Sequence, residues 1–268
     1  MTRTRTLTTA LAGAAATSLL FLTACSSEED ASADDNSAGQ ASVGTADLDS
    51  VSPALARYDS EEVQALWDDD SVSARDRGLV TVAALISTGQ TAELGAYVER
   101  ALDDGVTPAE ISETVTHLGF YTGWPNATSA VSEISEIFAD RDISTDELPE
   151  AEPELMPLDE EAEAERAQTV EEDVGDVSRG IVDGTERLFN DLWLRPDLEP
   201  RDRSMITVVS LIATAQSDQI TFHLNRAMDN GLTAEEVDGL LTHVIYFTGW
   251  PKTMTAIPVV QDVLDSRA

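Results

Sequence analysis

The chain is predicted to be all-α and built twice, as two tandem helical bundles of about five or six helices each. Three observations carry that expectation. The run RDRGLVTVAALISTGQ beginning at Arg75 returns 126 residues later as RDRSMITVVSLIATAQ beginning at Arg201. THLGFYTGWP from Thr116 returns as THVIYFTGWP from Thr242, and 21 of 51 positions agree between 75–125 and 201–251 without a gap. Neither copy alternates polar and apolar residues over a strand's length, whereas apolar positions and capping signals follow helical spacing.

Taken in order, residues 1–24 read as a signal peptide. Arg3 and Arg5 form a basic start, and Leu11 to Leu22 form an apolar stretch too short for a membrane span of roughly 20 residues. The segment closes on Leu22-Thr23-Ala24-Cys25, which resembles a bacterial lipobox whose cysteine is lipidated. Ordinary secretion with an incidental cysteine is the alternative. The expectation is a lipid anchor at Cys25, on the extracytoplasmic face of the cell membrane. Residues 25–52 follow as an acidic tether rich in Ser, Ala, Asp and Glu, with no basic residue between Ser26 and Ser50.

The sequence carries 51 acidic against 16 basic residues, a net charge of −35, and Lys252 is the only lysine. A surface this negative repels nucleic acid and anionic headgroups, so contact with a membrane would run only through the anchor. Cys25 is also the only cysteine, so no intrachain disulfide forms and stability must come from packed cores.

The first repeat unit is placed at 53–140. Leu79, Val82, Ala83, Leu85 and Ile86 are apolar almost all round, as in a central buried helix. The next helix runs from about Ala92 to Asp103 and stops at Gly105. Thr107-Pro108-Ala109-Glu110 then reads as a capping box. In the helix that follows, Ile111, Val115 and Leu118 share one side, while Glu110, Glu113, His117 and Tyr121, joined by Phe120, share nearly the opposite one. Two aromatics on that stripe, running into Gly123-Trp124-Pro125, point to an interface or pocket rather than open solvent.

Residues 141–178 read as an acidic linker with a helical patch at 160–168, free to let the units face each other in any way. The second unit, 179–268, repeats the first. Met205, Ile206, Val208, Val209, Leu211 and Ile212 form its central helix, and Thr233-Ala234-Glu235-Glu236 its cap.

Arg201-Asp202-Arg203, then His223 through Ala227 to Gly231, then Phe247-Thr248-Gly249-Trp250-Pro251 form an ordered set. The first unit answers it with Arg75-Asp76-Arg77, Tyr97 through Gly105, and Tyr121-Thr122-Gly123-Trp124-Pro125. This set resembles the carboxymuconolactone decarboxylase family of the alkylhydroperoxidase D-like superfamily. The resemblance implies an all-α fold that assembles into rings of three or six small subunits. A tandem chain would then be an intramolecular pseudo-dimer, and three chains could mimic a six-unit ring.

The superfamily's peroxidase branch uses Cys-x-x-Cys-x3-His. Here Gln216 and Gln219 stand before His223, and Gln90 and Glu93 before Tyr97, so no thiolate is available for that chemistry. The decarboxylase branch implies no cofactor. It requires a group to hold the substrate carboxylate and an acid to protonate the carbanion left behind. The resemblance puts His223 forward as acid/base, with Glu113, His117 and His243 as further candidates. Arg75, Arg77, Arg201 and Arg203 are candidate carboxylate anchors, with Tyr97, Trp124 and Trp250 as possible substrate contacts. The three histidines lack metal-ligand spacing, and no metal is expected.

The copies differ where chemistry would occur. Tyr97 stands opposite His223, and Glu113 opposite Gly239, while His117 and His243 are kept in both. Two readings stand. One is a composite site that draws Glu113 from one copy and His223 from the other, acting as a cofactor-independent decarboxylase or isomerase on a small carboxylate or lactone. The other is a catalytically degenerate binding or scaffold protein.

Overall fold

The computed structural model describes residues 47–268. Helices α1 (Pro53–Tyr58), α2 (Ala74–Thr88), α3 (Leu94–Asp103), α4 (Pro108–Thr122) and α5 (Trp124–Asp140) form the first repeat, with a short 3-10 turn at Gln64–Asp68. Helix α6 (Glu160–Val174) lies in the intervening segment. The second repeat comprises α7 (Arg179–Asn190), α8 (Pro200–Ala213), α9 (Ile220–Asp229), α10 (Ala234–Thr248) and α11 (Trp250–Arg267). No strand occurs among the described residues, and none of their helices is long and apolar enough to cross a membrane. Residues 1–46, which hold the expected leader, Cys25 and most of the expected tether, lie outside the described region.

The central helices are buried on every side because they touch each other. Helix α2 packs on α8, and the residues from Asp76 to Ser87 are all shielded from solvent. Helix α4 lies across both α2 and α8, and α10 lies across both α8 and α2. Each polar stripe therefore faces the other repeat. Glu113 and His117 are buried there, while Phe120 points outward.

Local chemistry sets the turns identically in both copies. The hydroxyls of Thr107 and Thr233 accept from the Glu110 and Glu236 amides, and each glutamate accepts from its threonine's amide in return. Gly123 and Gly249 sit at φ 93° and 91°, a region in which only glycine is unstrained, and they end α4 and α10. The Trp-Pro that follows opens the next helix, with proline in its first turn, where its missing N–H costs nothing.

The segment expected as a free linker is fastened instead. The Arg195 guanidinium donates to the carbonyls of Glu150 (2.8 Å) and Ala151 (3.0 Å), and the Met156 amide donates to the Leu194 carbonyl (2.7 Å). The helical patch extends to Val174 and packs on α7, with the Arg166 guanidinium 4.3 Å above the Phe189 ring. Acidity alone suggested a solvated tether. Two arginines, one aromatic ring and one backbone bond hold it down.

Candidate functional site

Two related centres form where each polar stripe meets the opposite repeat. Centre A takes Glu113, His117 and Tyr121 from α4 and combines them with Trp193, Arg195, Arg203, Thr207, His223 and Arg226. Centre B takes Gly239, His243 and Phe247 from α10, against Trp67, Asp69, Arg77, Thr81, Tyr97 and Arg100. Each residue of B stands 126 positions from its counterpart in A.

The histidine common to both centres is held the same way. Thr207 Oγ1 donates its single proton to the Arg203 carbonyl (2.7 Å), so its 2.7 Å contact with His117 Nε2 must be accepted from the ring. Thr81 does the same between the Arg77 carbonyl (2.8 Å) and His243 Nε2 (2.8 Å). Both rings therefore carry the proton on Nε2, and each Nδ1 is a buried acceptor without a partner among the described residues. Burial, reinforced by Arg203, drives His117 well below its ordinary pKa, and burial with Arg77 takes His243 down to about 3. Both are neutral at physiological pH.

Around these rings the aromatic walls match. In A, His117 stacks on Tyr121 at 4.7 Å and meets Trp193 edge-on at 5.0 Å; Trp193 stacks on His223 at 5.5 Å. In B, His243 meets Trp67 at 5.0 Å and Phe247 at 5.2 Å, and Trp67 stacks on Tyr97 at 6.1 Å. Burial raises the Tyr97 hydroxyl to about 12, so it stays protonated. His223 is lowered to about 3 by burial, with Arg226 adding to the effect.

The charged groups differ sharply. In A, Arg203 Nη2 donates to Glu113 Oε2 at 2.9 Å, and Arg195 Nε to Glu113 Oε1 at 2.8 Å. In B, Gly239 leaves no carboxylate, and Arg77 turns instead to the carbonyls of Trp67 (2.6 Å), Asp69 and Val72. A methyl group on Gly239 would lie 2.3 Å from Ser71 Oγ and 2.6 Å from Val72 Cγ2, so the loop at 69–72 fills the space. Only about 10 Å³ remains there. Beside A lies a cavity of about 620 Å³, walled by Trp193, Phe189, Phe222 and Arg226 and roofed by residues 156–166. Trp193 and Phe222 flank His223 directly, at 5.5 and 5.0 Å.

All four arginines expected to anchor a substrate carboxylate already have protein partners. Arg75 bonds Asp76 (2.7 Å), Asp202 (2.6 Å) and Glu110, while Arg201 bonds Asp202 (2.6 Å), Asp76 (2.6 Å) and Glu236 (3.0 Å). Burial opposes the charge on both guanidiniums, but these carboxylates outweigh it and raise their pKa. This reciprocal belt clamps α2 to α8. Arg77 and Arg203 are engaged as described above. Trp124 and Trp250 are 62% and 51% exposed, and their rings meet Phe120 and Tyr246 rather than the histidines. His117 and His223 both lie against Tyr121 and Trp193, while Glu113 is bound to Arg203 and Arg195. Among the described residues, no cluster of three or more His, Cys, Asp or Glu side chains could hold a metal.

Sequence reasoning passed over Arg195, Thr207, Trp193 and Arg226. For Arg195 a signal existed: its counterpart is Asp69, a charge reversal matching the loss of Glu113 at Gly239. Arg226 keeps its arginine counterpart Arg100, but Asp104, the ion partner of Arg100, has become Asn230.

Comparison with known proteins gives this constellation its setting. The 4-carboxymuconolactone decarboxylase of Acinetobacter baylyi is 29% identical over 75 residues, 28% of this chain and 56% of that one. A nitrosuccinic acid decarboxylase of Metarhizium robertsii is 32% identical over 81 residues, 30% of this chain and 57% of that one. The chain thus spans little more than half the length of these relatives. A solved structure from Burkholderia xenovorans, described as a gamma-carboxymuconolactone decarboxylase subunit, aligns over 80% of this chain and 90% of its own, at 20% identity and a TM-score of 0.46. The profile of the carboxymuconolactone decarboxylase family matches twice, at residues 53–136 and 183–262. The chain therefore belongs to the carboxymuconolactone decarboxylase family, as a tandem of two such domains.

Proposed function

We propose that the chain is a cofactor-independent decarboxylase of a small unsaturated carboxylate or lactone acid, with one working centre, A. The observation that supports this reading most is an asymmetry. Centre A keeps a histidine, a buried Glu–Arg pair and an adjoining cavity of about 620 Å³, whereas centre B has a tyrosine, a glycine and about 10 Å³.

The reaction breaks the bond between the carboxylate carbon and its neighbour. The electron pair passes into the adjoining unsaturated system, carbon dioxide leaves, and the carbanion takes up one proton. His223 is neutral in the free protein because burial and Arg226 disfavour its cation. An anionic substrate beside it reverses that balance and favours the imidazolium. The substrate then charges its own acid, and His223 returns to neutral on protonating carbon. Water supplies the next proton. The Glu113–Arg203 pair holds α4 against α8 and so fixes the frame of the centre.

A second reading, a binding protein that keeps the fold without turnover, draws on the complete burial of His117. Carbon dioxide release from a panel of small unsaturated carboxylates and lactone acids separates the two. His223→Ala is expected to lower kcat by about 10²–10⁴, and Tyr97→Phe, its counterpart in B, to leave it unchanged. Equal rates in wild type and His223→Ala would sink the acid role, and no release from any member of the panel would favour the binder.

We further propose, from residues 22–25, that Cys25 is lipidated and holds the protein on the outer face of the cell membrane. Mass spectrometry of the mature N-terminus, compared with Cys25→Ser, reads this directly. Assembly into a three-chain ring is proposed from the family's habit, and a monomeric mass by light scattering would remove it.

A further inference from the structure

We infer that Arg226 is the carboxylate-binding residue of this chain, and that the cavity between α6 and α9 takes a small aromatic or conjugated carboxylate. This rests on the reading that the cavity serves the His223 centre, and it names the ligand class and a residue that the sequence did not suggest.

The two repeats supply the control. In the first, Arg100 lies over the Trp67 ring at 4.6 Å and its Nε donates to Asp104 at 2.7 Å. In the second, Arg226 lies over the Trp193 ring at 4.5 Å in the same way, but position 230 is asparagine. The Asn230 side chain donates to the Arg226 carbonyl instead (2.7 Å). The Arg226 guanidinium makes no hydrogen bond or ion pair to any described residue, and its Nε is buried without a partner among them. In a chain with 51 carboxylates, a half-buried guanidinium left unpaired on a cavity wall calls for an external anion.

The cavity's own carboxylates do not fill that role. Glu163 is held by Arg166 (2.8 Å), Asp229 by Arg267 (2.6 Å), and Asp159 caps α6 by accepting from the Ala162 amide (3.1 Å). Glu163 and Asp159 attract Arg226 only at a distance. Trp193, Phe189 and Phe222 offer flat apolar faces suited to a conjugated ligand. Arg166, buried in the roof over Phe189 and paired with Glu163, keeps its Nη1 unpartnered among the described residues. The intervening segment is thereby part of the site, so the ligand lies between the repeats' connector and the second repeat.

Titration calorimetry of the purified full chain with benzoate, and with uncharged benzyl alcohol, tests this. Benzoate is expected to saturate one site per chain and benzyl alcohol to bind far more weakly. Arg226→Ala is expected to weaken benzoate about tenfold or more, the loss of one charge-assisted hydrogen bond. Asn230→Asp, an exposed change that rebuilds the Arg100–Asp104 pairing, should weaken it in the same direction without touching the core. Arg100→Ala, the counterpart, should leave binding alone. Failure of benzoate to saturate at millimolar concentration, wild-type affinity in both Arg226→Ala and Asn230→Asp, or equal binding of benzyl alcohol overturns the assignment. Carbon dioxide release is read separately: binding without turnover removes the decarboxylase reading and leaves this site standing, and turnover indifferent to Arg226 does the reverse.

Discussion

Centres A and B share a backbone frame, a threonine-held histidine and a tryptophan wall, yet they answer one packing problem in opposite ways. Each has a buried arginine at the start of its central helix. In A the answer to Arg203 is a carboxylate, Glu113, sent across from the other repeat and shared with Arg195. In B the answer to Arg77 is local: the loop before α2 folds in, presents three carbonyls, and packs onto Gly239. The difference teaches that positions 113, 195 and 203 form one unit, as do 239, 69 and 77. Changing one member without the others should be costly.

The largest expected effect follows from that. Glu113→Ala strands Arg203, which has no exposure to water, and should cost about 3–5 kcal/mol in urea denaturation. A loss below about 1 kcal/mol would mean that water already reaches the pair. Gly239→Ala comes next. Its methyl group meets Ser71 and Val72 inside contact distance, and overpacking of this kind should cost about 1–3 kcal/mol. The equivalent change in A, Glu113→Ala, adds no bulk, so the two variants should differ in cavity volume by crystallography even where their stabilities agree.

Acid sharpens the comparison further. His223 and His243, at about 3 in the folded protein, bind fewer protons than in the unfolded chain, whose histidines titrate near about 6.5. Stability is therefore complete above about pH 6.5 and declines as pH falls towards 3, by about 1.4 kcal/mol per unit for each histidine. Melting temperatures between pH 7 and 5 read this window, above the range in which Asp76, lowered by its arginine partners against the opposing effect of burial, begins to protonate. His243→Gln should flatten the slope; an unchanged slope would show that the loss of stability has another origin. The smallest effect is the control. Thr107→Ala and Thr233→Ala each remove one half of a matched capping box, and each should cost about 1 kcal/mol. Unequal losses there would show that the asymmetry reaches into the scaffold.

Much of the scaffold was legible in the sequence because its causes are local. The capping threonines act on amides three residues away, and the glycines before Trp-Pro act on their own φ, so both can be read along one strip of chain. The polar stripe of α4 was legible as something other than a wet face, since Phe120 and Tyr121 broke its polarity. What it faced was not legible. Arg195, Thr207 and Trp193 reach Glu113, His117 and Tyr121 across separations of 72 to 90 residues, and nothing in spacing links them. Arg75 and Arg201 illustrate the same limit: Arg-Asp-Arg looks like an anchor for a foreign carboxylate until the opposite copy is seen to bring its own. The linker misled for a different reason, because its composition is that of a solvated tether, and a few contacts made by Arg195, Leu194, Arg166 and Phe189 hold it down.

The exchange of α4 and α10 between the repeats has a consequence for inheritance. Where two such centres are built by identical subunits, any substitution is written into both at once, and a change that suits one must be survivable in the other. Fusing the copies into one chain removes that constraint. Residue 113 can stay glutamate while 239 becomes glycine, and 104 can stay aspartate while 230 becomes asparagine, so selection can address each centre by its own codon. Neither centre could then be recovered from half a gene, because each is written partly in the other half.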